Sequence, residues 1–288
     1  MRILRNHFLR LVLLVASVVL LSGCATSPYQ ADAKAGSDAR LATQLRQAQT
    51  VVGQSTEPRI IYAGFAMHSQ SKAFRNDVLS GINLVEKLDP KAVIFKLNNP
   101  AFGQDADWPF ATAENIQIVL AEIGKLARDQ DKIVLLFSTH GNVNLLSVNA
   151  STTYYRGVNS QNLRDWLAPL RVKPTTLILS ACYSGSFLEP LQSPNRIILT
   201  AAAKDRTSFG CQFHSSNTFF IEALIGKTLD PSLSINQMAD QASLGVARLE
   251  KAQNLSPPSM PQKFVGFAVK DFADQPLTAW RTFGFSTP

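Results

Sequence analysis

KIVLLFS, residues 132–138, is hydrophobic almost without a break. A run of that kind suits a strand covered on both faces, and it is not alone in the chain. RIIYAGFA (59–66) and KAVIFKL (91–97) precede it; TTLILSA (175–181), RIILTAA (196–202) and KFVGFAV (263–269) follow. Segments of helical periodicity lie between them. Phe74, Val78, Ile82 and Val85 form one apolar stripe, and Thr112 can cap a helix carrying Ile116, Val119, Leu120, Ile123 and Leu126. A further helix starts at Ser160 with Leu163, Trp166, Leu167 and Leu170 as its stripe. Two more are expected near 217–225 and 234–252, the second burying Ile235, Met238, Ala239, Ala242, Val246 and Leu249. Strands alternating with amphipathic helices predict an α/β fold, a mostly parallel sheet with helices on both faces.

In such a sheet the reactive groups gather beyond the carboxyl ends of the strands. Two strands here run into chemistry: KIVLLFS into Thr139-His140-Gly141-Asn142, and TTLILSA into Cys182-Tyr183-Ser184-Gly185. Neighbouring parallel strands would bring His140 and Cys182 to one edge, although 42 positions separate them. An imidazole beside a thiol can generate the thiolate, which is the nucleophile. The pair could perform acyl transfer: Cys182 attacks a carbonyl and His140 protonates the leaving amine. The N–H groups of Gly141 and Cys182 are the candidate oxyanion donors. A glycine after the histidine would let substrate approach the backbone closely. Taken singly, a strand-end Cys or His is more often structural, so periodicity and spacing leave both readings open.

The first 27 residues, MRILRNHFLRLVLLVASVVLLSGCATS, place three arginines before an apolar stretch from Leu11 to Leu21. That is a secretory signal pattern, too short for a spanning helix. Leu21-Ser22-Gly23-Cys24 looks like a bacterial lipobox, which implies a lipid on Cys24 and a chain held in the cell envelope. Ala25 after the cysteine favours the outer membrane, facing the periplasm. Removing Arg2, Arg5 and Arg10 from the 28 basic residues leaves 25 against 21 acidic, a mild +4. No basic run interleaved with aromatics appears, so no nucleic-acid partner is expected. Only Cys182 and Cys211 then remain as thiols, and in an oxidising compartment they could instead form a disulfide. Residues 24–57 read as a lipidated N-terminus and tether, with a weak helix around Leu41 to Gln49, and 271–288 as a C-terminal tail.

ILSACYSGSFLEPLQSPNRIILTAAAKDRTSFGC (178–211), with FSTHGN (137–142), resembles the legumain-like cysteine peptidases, family C13 of the caspase-like clan. The resemblance spans roughly 59–267 and places a peptidase domain at 58–270. It implies a caspase-like three-layer α/β/α sandwich, a Cys182–His140 dyad, a peptide or protein substrate, and neither metal nor organic cofactor. Arg75, in AFRND, matches the arginine that lines the S1 pocket and recognises Asn or Asp. Thr207, Ser208, Phe209 and Gly210 match the stretch whose backbone pairs with extended substrate. Cys211 also matches a family cysteine.

Three positions depart from the family pattern. Ala73 stands where eukaryotic legumains have an asparagine assisting the histidine, so no triad is expected. Tyr183 follows the nucleophile where relatives often carry an acid, and Ser216 and Asn217 occupy the region of an acidic S1 residue. A pocket with Arg75 and without those acids predicts an Asp, Asn or small polar P1 residue, with acid favoured over strict Asn. His68, just after the first strand, could touch the same edge, but surface positions are the expectation for it and for His214. Asp205 could stabilise the substrate loop, with pairing to Arg206 or solvation the favoured reading. The activity implied is a lipid-anchored endopeptidase or transpeptidase; the alternative is a non-catalytic envelope binding module on the same scaffold. G-x-S-x-G, H-E-x-x-H and C-x-x-C are absent, leaving serine and metal hydrolysis without support.

Overall fold

The structure is a computed structural model and describes residues 28–54, 56–100, 106–150, 153–154, 157–212, 215–226 and 229–285. The signal segment, Cys24 and His214 lie outside the described residues. The chain divides into two compact units, residues 1–36 and 37–288. Of the first, the described part is the opening of helix α1 (Pro28–Gly53). The second contains a six-stranded sheet and its covering helices.

In chain order the sheet strands are β1 (Ile60–Ala66), β2 (Val93–Asn98), β3 (Lys132–Ser138), β4 (Thr175–Ser180), β5 (Arg196–Thr200) and β6 (Gln262–Val265). Their spatial order is β6-β5-β4-β3-β1-β2. All pairings are parallel except that of β6 with β5. The chain is thus an α/β fold with a mostly parallel sheet. β6 is shorter than KFVGFAV suggested, because the chain leaves the sheet at Gly266 and turns through Phe267–Val269.

Period-two alternation divides the strand residues between two cores. Ile61, Ala63 and Phe65 of β1, with Leu135, Phe137, Leu177 and Leu179, pack toward α3 (Ala113–Leu126) and α4 (Ser160–Trp166). Ile60, Tyr62, Val134, Leu136, Ile178 and Leu199 face the other way. They meet α2 (Lys72–Leu88), α5 (Phe219–Ile225) and α6 (Ile235–Ala252). β1, β3 and β4 are buried along their whole length, which accounts for their unbroken apolar sequences. Side-chain caps start the helices: Ser71 for α2, Thr112 for α3, Thr218 for α5, and a Ser234–Gln237 capping box for α6.

Both ends of the folded unit extend further than composition predicted. Where a tether with a short helix over 41–49 was expected, α1 runs to Gly53, and from Ser37 it belongs to the second unit. Leu41 and Ala48 are buried there. The Gln44 carboxamide donates to Lys96 O and accepts from Lys96 N, both at 3.1 Å, covering the open edge of β2. At the other end Phe272, Ala273, Leu277 and Trp280 are buried, so the segment expected as a tail contributes these side chains to the core. Among the described residues no helix is long and apolar enough to cross a membrane.

Candidate active site

β3 and β4 pair in parallel with Ser138 opposite Ser180, and Thr139 N donates to Ser180 O at 3.1 Å. His140 and Cys182 are each the second residue beyond that rung, so the register alone sets them at one sheet edge. A hairpin of Gly141–Asn142 with Leu145–Leu146 rises beyond His140, extended by Val158–Asn159. Gly141 is where the two chain ends touch. A Cβ there would lie 2.4 Å from Cys182 O and 3.1 Å from the Ala181 Cβ. The glycine is required by the neighbouring strand end itself, a nearer cause than the substrate access that the sequence suggested.

The turn after the nucleophile candidate begins at Tyr183, one residue before the expected Ser184-Gly185. Tyr183 has φ 56° and ψ 17°, the left-handed region that a bulky residue seldom occupies. Its N–H donates to Arg206 O at 2.7 Å, and its carbonyl accepts from Ser186 N at 3.0 Å and Ser186 Oγ at 2.7 Å. Below it, Ala202 N donates to Ser184 Oγ at 3.1 Å and Gly185 N to Ala202 O at 2.9 Å. These bonds over-determine the turn and hold a strained residue beside Cys182.

The Cys182 Sγ lies against Ser208. Ser208 N donates to it at 3.2 Å and Ser208 Oγ at 3.6 Å, while the thiol can donate to Ser208 O at 3.5 Å. Of the expected Thr207–Gly210 segment, Ser208 therefore reaches the sulfur directly. The same segment lines a cavity of about 350 Å³ that Ser208, Phe209, Gly210, Cys211, Phe219 and Leu255 bound. Gly210, at φ 85°, gives it its bend. Cys182 and Cys211 are both free thiols, so the disulfide alternative is not realised. Burial, then the nearby Cys182, pushes the Cys211 thiol up.

His140 sits between two rings. His68 meets it edge to face at 4.7 Å between centroids and 83°, and Phe74 of α2 at 5.0 Å and 84°. Burial holds the His140 imidazole below its ordinary pKa. His68 is brought down to about 4, by burial and then by His140. The surface position expected for His68 is overturned: the chain at Asn149 bridges over it, and its residual exposure is 7 %. Gln70 N donates to His68 Nδ1 at 3.3 Å, leaving the proton on Nε2.

Sequence reasoning missed Asp77. It lies three positions after Phe74 on the buried face of α2, with no exposed surface. Its Oδ2 accepts from Ser138 Oγ at 2.6 Å and Thr218 Oγ at 2.8 Å. Its Oδ1 accepts from Thr218 N and Asn217 Nδ2, both at 3.0 Å. Ser180 Oγ completes the chain, 2.8 Å from Thr218 Oγ. Burial raises the carboxyl to about 6 against the pull of those four donors. The signal that could have found it was an acid inside the stripe of Phe74, Val78 and Ile82.

Arg75 is not an open cation. It holds Asp107 through two bonds of 2.8 and 2.7 Å, and its guanidinium lies 4.4 Å over the Trp108 ring. That hydrogen-bonded pair keeps the Asp107 carboxyl below the usual carboxylate range. Ser216 contributes its carbonyl to Asn76 Nδ2 at 2.6 Å, and Asn217 serves Asp77. Asp205 is exposed and pairs weakly with Arg206 at 3.8 Å, the structural role expected of it. Among the described residues no group of three His, Cys, Asp or Glu side chains is placed to hold a metal ion.

Residues 120–253 match the model of the Peptidase C13 family. The matched stretch opens in α3 and closes just after α6, so it contains His140, Cys182 and the Thr207–Gly210 segment. No curated protein matches the chain. Among solved structures it is similar to caspase-1 from Spodoptera frugiperda, with 15% sequence identity and a TM-score of 0.49, covering 73% of this chain and 86% of that one.

Proposed function

We propose that the chain is a cysteine endopeptidase acting through Cys182 and His140. The observation that carries this reading is the Ser138–Ser180 register, which sets a thiol and an imidazole at one sheet edge inside the stretch that matches the C13 family. His140 takes the Cys182 proton and the sulfur adds to the scissile carbonyl. Ser208 N–H is positioned to stabilise the thiolate. The tetrahedral oxyanion is received by the N–H groups of Gly141 and Cys182. Collapse forms a thioester and expels the amine, which His140 protonates. Water then releases the acyl group; an amine acceptor in its place gives transpeptidation. Extended substrate pairs along Thr207–Gly210, and a lipid on Cys24 holds the enzyme at the bacterial envelope.

The experiment that tests this is a peptide-library cleavage assay on the wild-type chain before and after iodoacetamide, with peptide mapping of the modified thiols. Cleavage should stop in step with carboxamidomethylation of Cys182. Undiminished cleavage by a fully Cys182-modified protein would refute the mechanism.

P1 selection is proposed to involve Arg75 and Asp107 together. Arg75 alone would favour an acidic side chain, but Asp107 already supplies the carboxylate that an acidic P1 would bring. The pair suits a carboxamide or small polar group, and Asp107→Asn should restore a net cation. The ratio of Asp-reporter to Asn-reporter kcat/KM should then rise about tenfold, equivalent to roughly 1.4 kcal/mol. An unchanged ratio places the pair outside the S1 pocket.

A further inference from the structure

The end of each catalytic strand is anchored to something the proposed mechanism does not use. Ser138 and Ser180 are direct partners across β3 and β4, and each precedes its reactive residue by two positions. Both hydroxyls are buried, at 0% and 1% exposure, and both lead to one carboxylate. Thr218 Oγ has a single proton and gives it to Asp77 Oδ2, so the Ser180 hydroxyl donates to Thr218. Ser138 donates directly to the same Oδ2. Every hydrogen bond in the network thus points toward Asp77, whose two oxygens accept two each. α2, which carries Asp77, also presses Phe74 onto the His140 ring.

We propose, on the reading of Cys182 and His140 as the reacting pair, that Asp77 is a positioning residue. It clasps the ends of β3 and β4 through Ser138 and through Thr218–Ser180, and so fixes the separation of thiol and imidazole. A buried carboxylate without an ion-pair partner is costly unless its acceptors are filled. Here all four are filled, one by Ser138 at the end of β3 and three by Asn217 and the N-cap Thr218 of α5, with Ser180 at the end of β4 joined through Thr218. The titratable groups facing it are Tyr62 from β1 and Cys211. Asparagine at 77 could keep the contacts by turning the Ser138 and Thr218 hydroxyls into acceptors, whereas alanine would remove them.

The test is the rate of iodoacetamide modification of Cys182 and Cys211, each followed by peptide mapping in the full chain at neutral pH. His140→Ala is the reference and should slow Cys182 about tenfold, through loss of the thiolate-forming partner. Asp77→Ala should slow Cys182 by a similar factor and leave Cys211 little changed. Ser138→Ala should give a smaller loss in the same direction, and Asp77→Asn should stay within about threefold of wild type. A merely loosened fold behaves oppositely, because exposure accelerates both thiols. Should Asp77→Ala fail to fold, Ser138→Ala carries the test. Cys182 reacting at the wild-type rate, or faster, in the Asp77 and Ser138 variants while His140→Ala slows it overturns the clasp and leaves the dyad standing. No slowing in His140→Ala would end the dyad reading and this inference with it.

Discussion

Cleavage should vanish in Cys182→Ala and fall by about three to four orders of magnitude in His140→Ala, the upper range of general acid–base assistance. The two losses differ because the groups do different work. Without Cys182 there is no atom to carry the acyl group. Without His140 the thiol remains, seated against Ser208 N–H, and a small thiolate fraction can still attack. The pH profile should separate them further. Burial lowers the His140 pKa, so the imidazole is neutral and basic through the neutral range. The acidic limb of kcat/KM should therefore fall below the ordinary histidine range. Residual His140→Ala activity should lack the histidine component. Peptide reporters assayed from pH 4 to 8 measure both effects, and His140→Ala activity within tenfold of wild type would sink the dyad.

What the sequence disclosed about this edge, and what it concealed, follows from which interactions are periodic. The strands were legible because burial on both faces demands unbroken apolar runs, and β3 was read to the residue. The convergence of His140 and Cys182 on one sheet edge was legible because parallel neighbours end together, as Ser138 opposite Ser180 does. α1 was largely missed because its many alanines and glutamines dilute the pattern, and the stripe that packs on the core, Leu41, Leu45, Ala48 and Val52, is confined to its second half. Single polar contacts such as Gln44 with the Lys96 backbone add to that attachment and follow no period. Phe272, Leu277 and Trp280 lie in short turns, where no period marks them as core. His68 was misplaced because its cover comes from Asn149, 81 positions later. Arg75 matched its motif, but the carboxylate that occupies it, Asp107, lies 32 residues away and outside that motif. Tertiary partners of single polar side chains are what pattern reading cannot supply.

Gly141→Ala should be the most damaging single-methyl change at the site, lowering kcat about 100- to 1,000-fold with a loss of roughly 1–3 kcal/mol in stability. Conformation is not the obstacle. Space is: the added Cβ would meet Cys182 O at 2.4 Å, and that atom belongs to the backbone of the neighbouring strand end. Nothing flexible is available to yield, so the two chain ends must separate. Separation moves Cys182 from His140 and displaces the Gly141 N–H proposed to receive the oxyanion, and a shift of about 1 Å in such a constellation costs about 100-fold. Substrate pairing along Thr207–Gly210 should be less affected, so KM should change far less than kcat. Gly53→Ala supplies the control, because a Cβ there meets nothing within 4 Å. It should leave activity unaltered and hold or slightly raise stability. Steady-state kinetics beside thermal unfolding of the two variants makes the comparison. If Gly141→Ala loses stability while retaining kcat, the strand ends tolerate separation and the oxyanion assignment falls. A kcat loss at unchanged KM instead ties the contact between Gly141 and Cys182 to the chemical step.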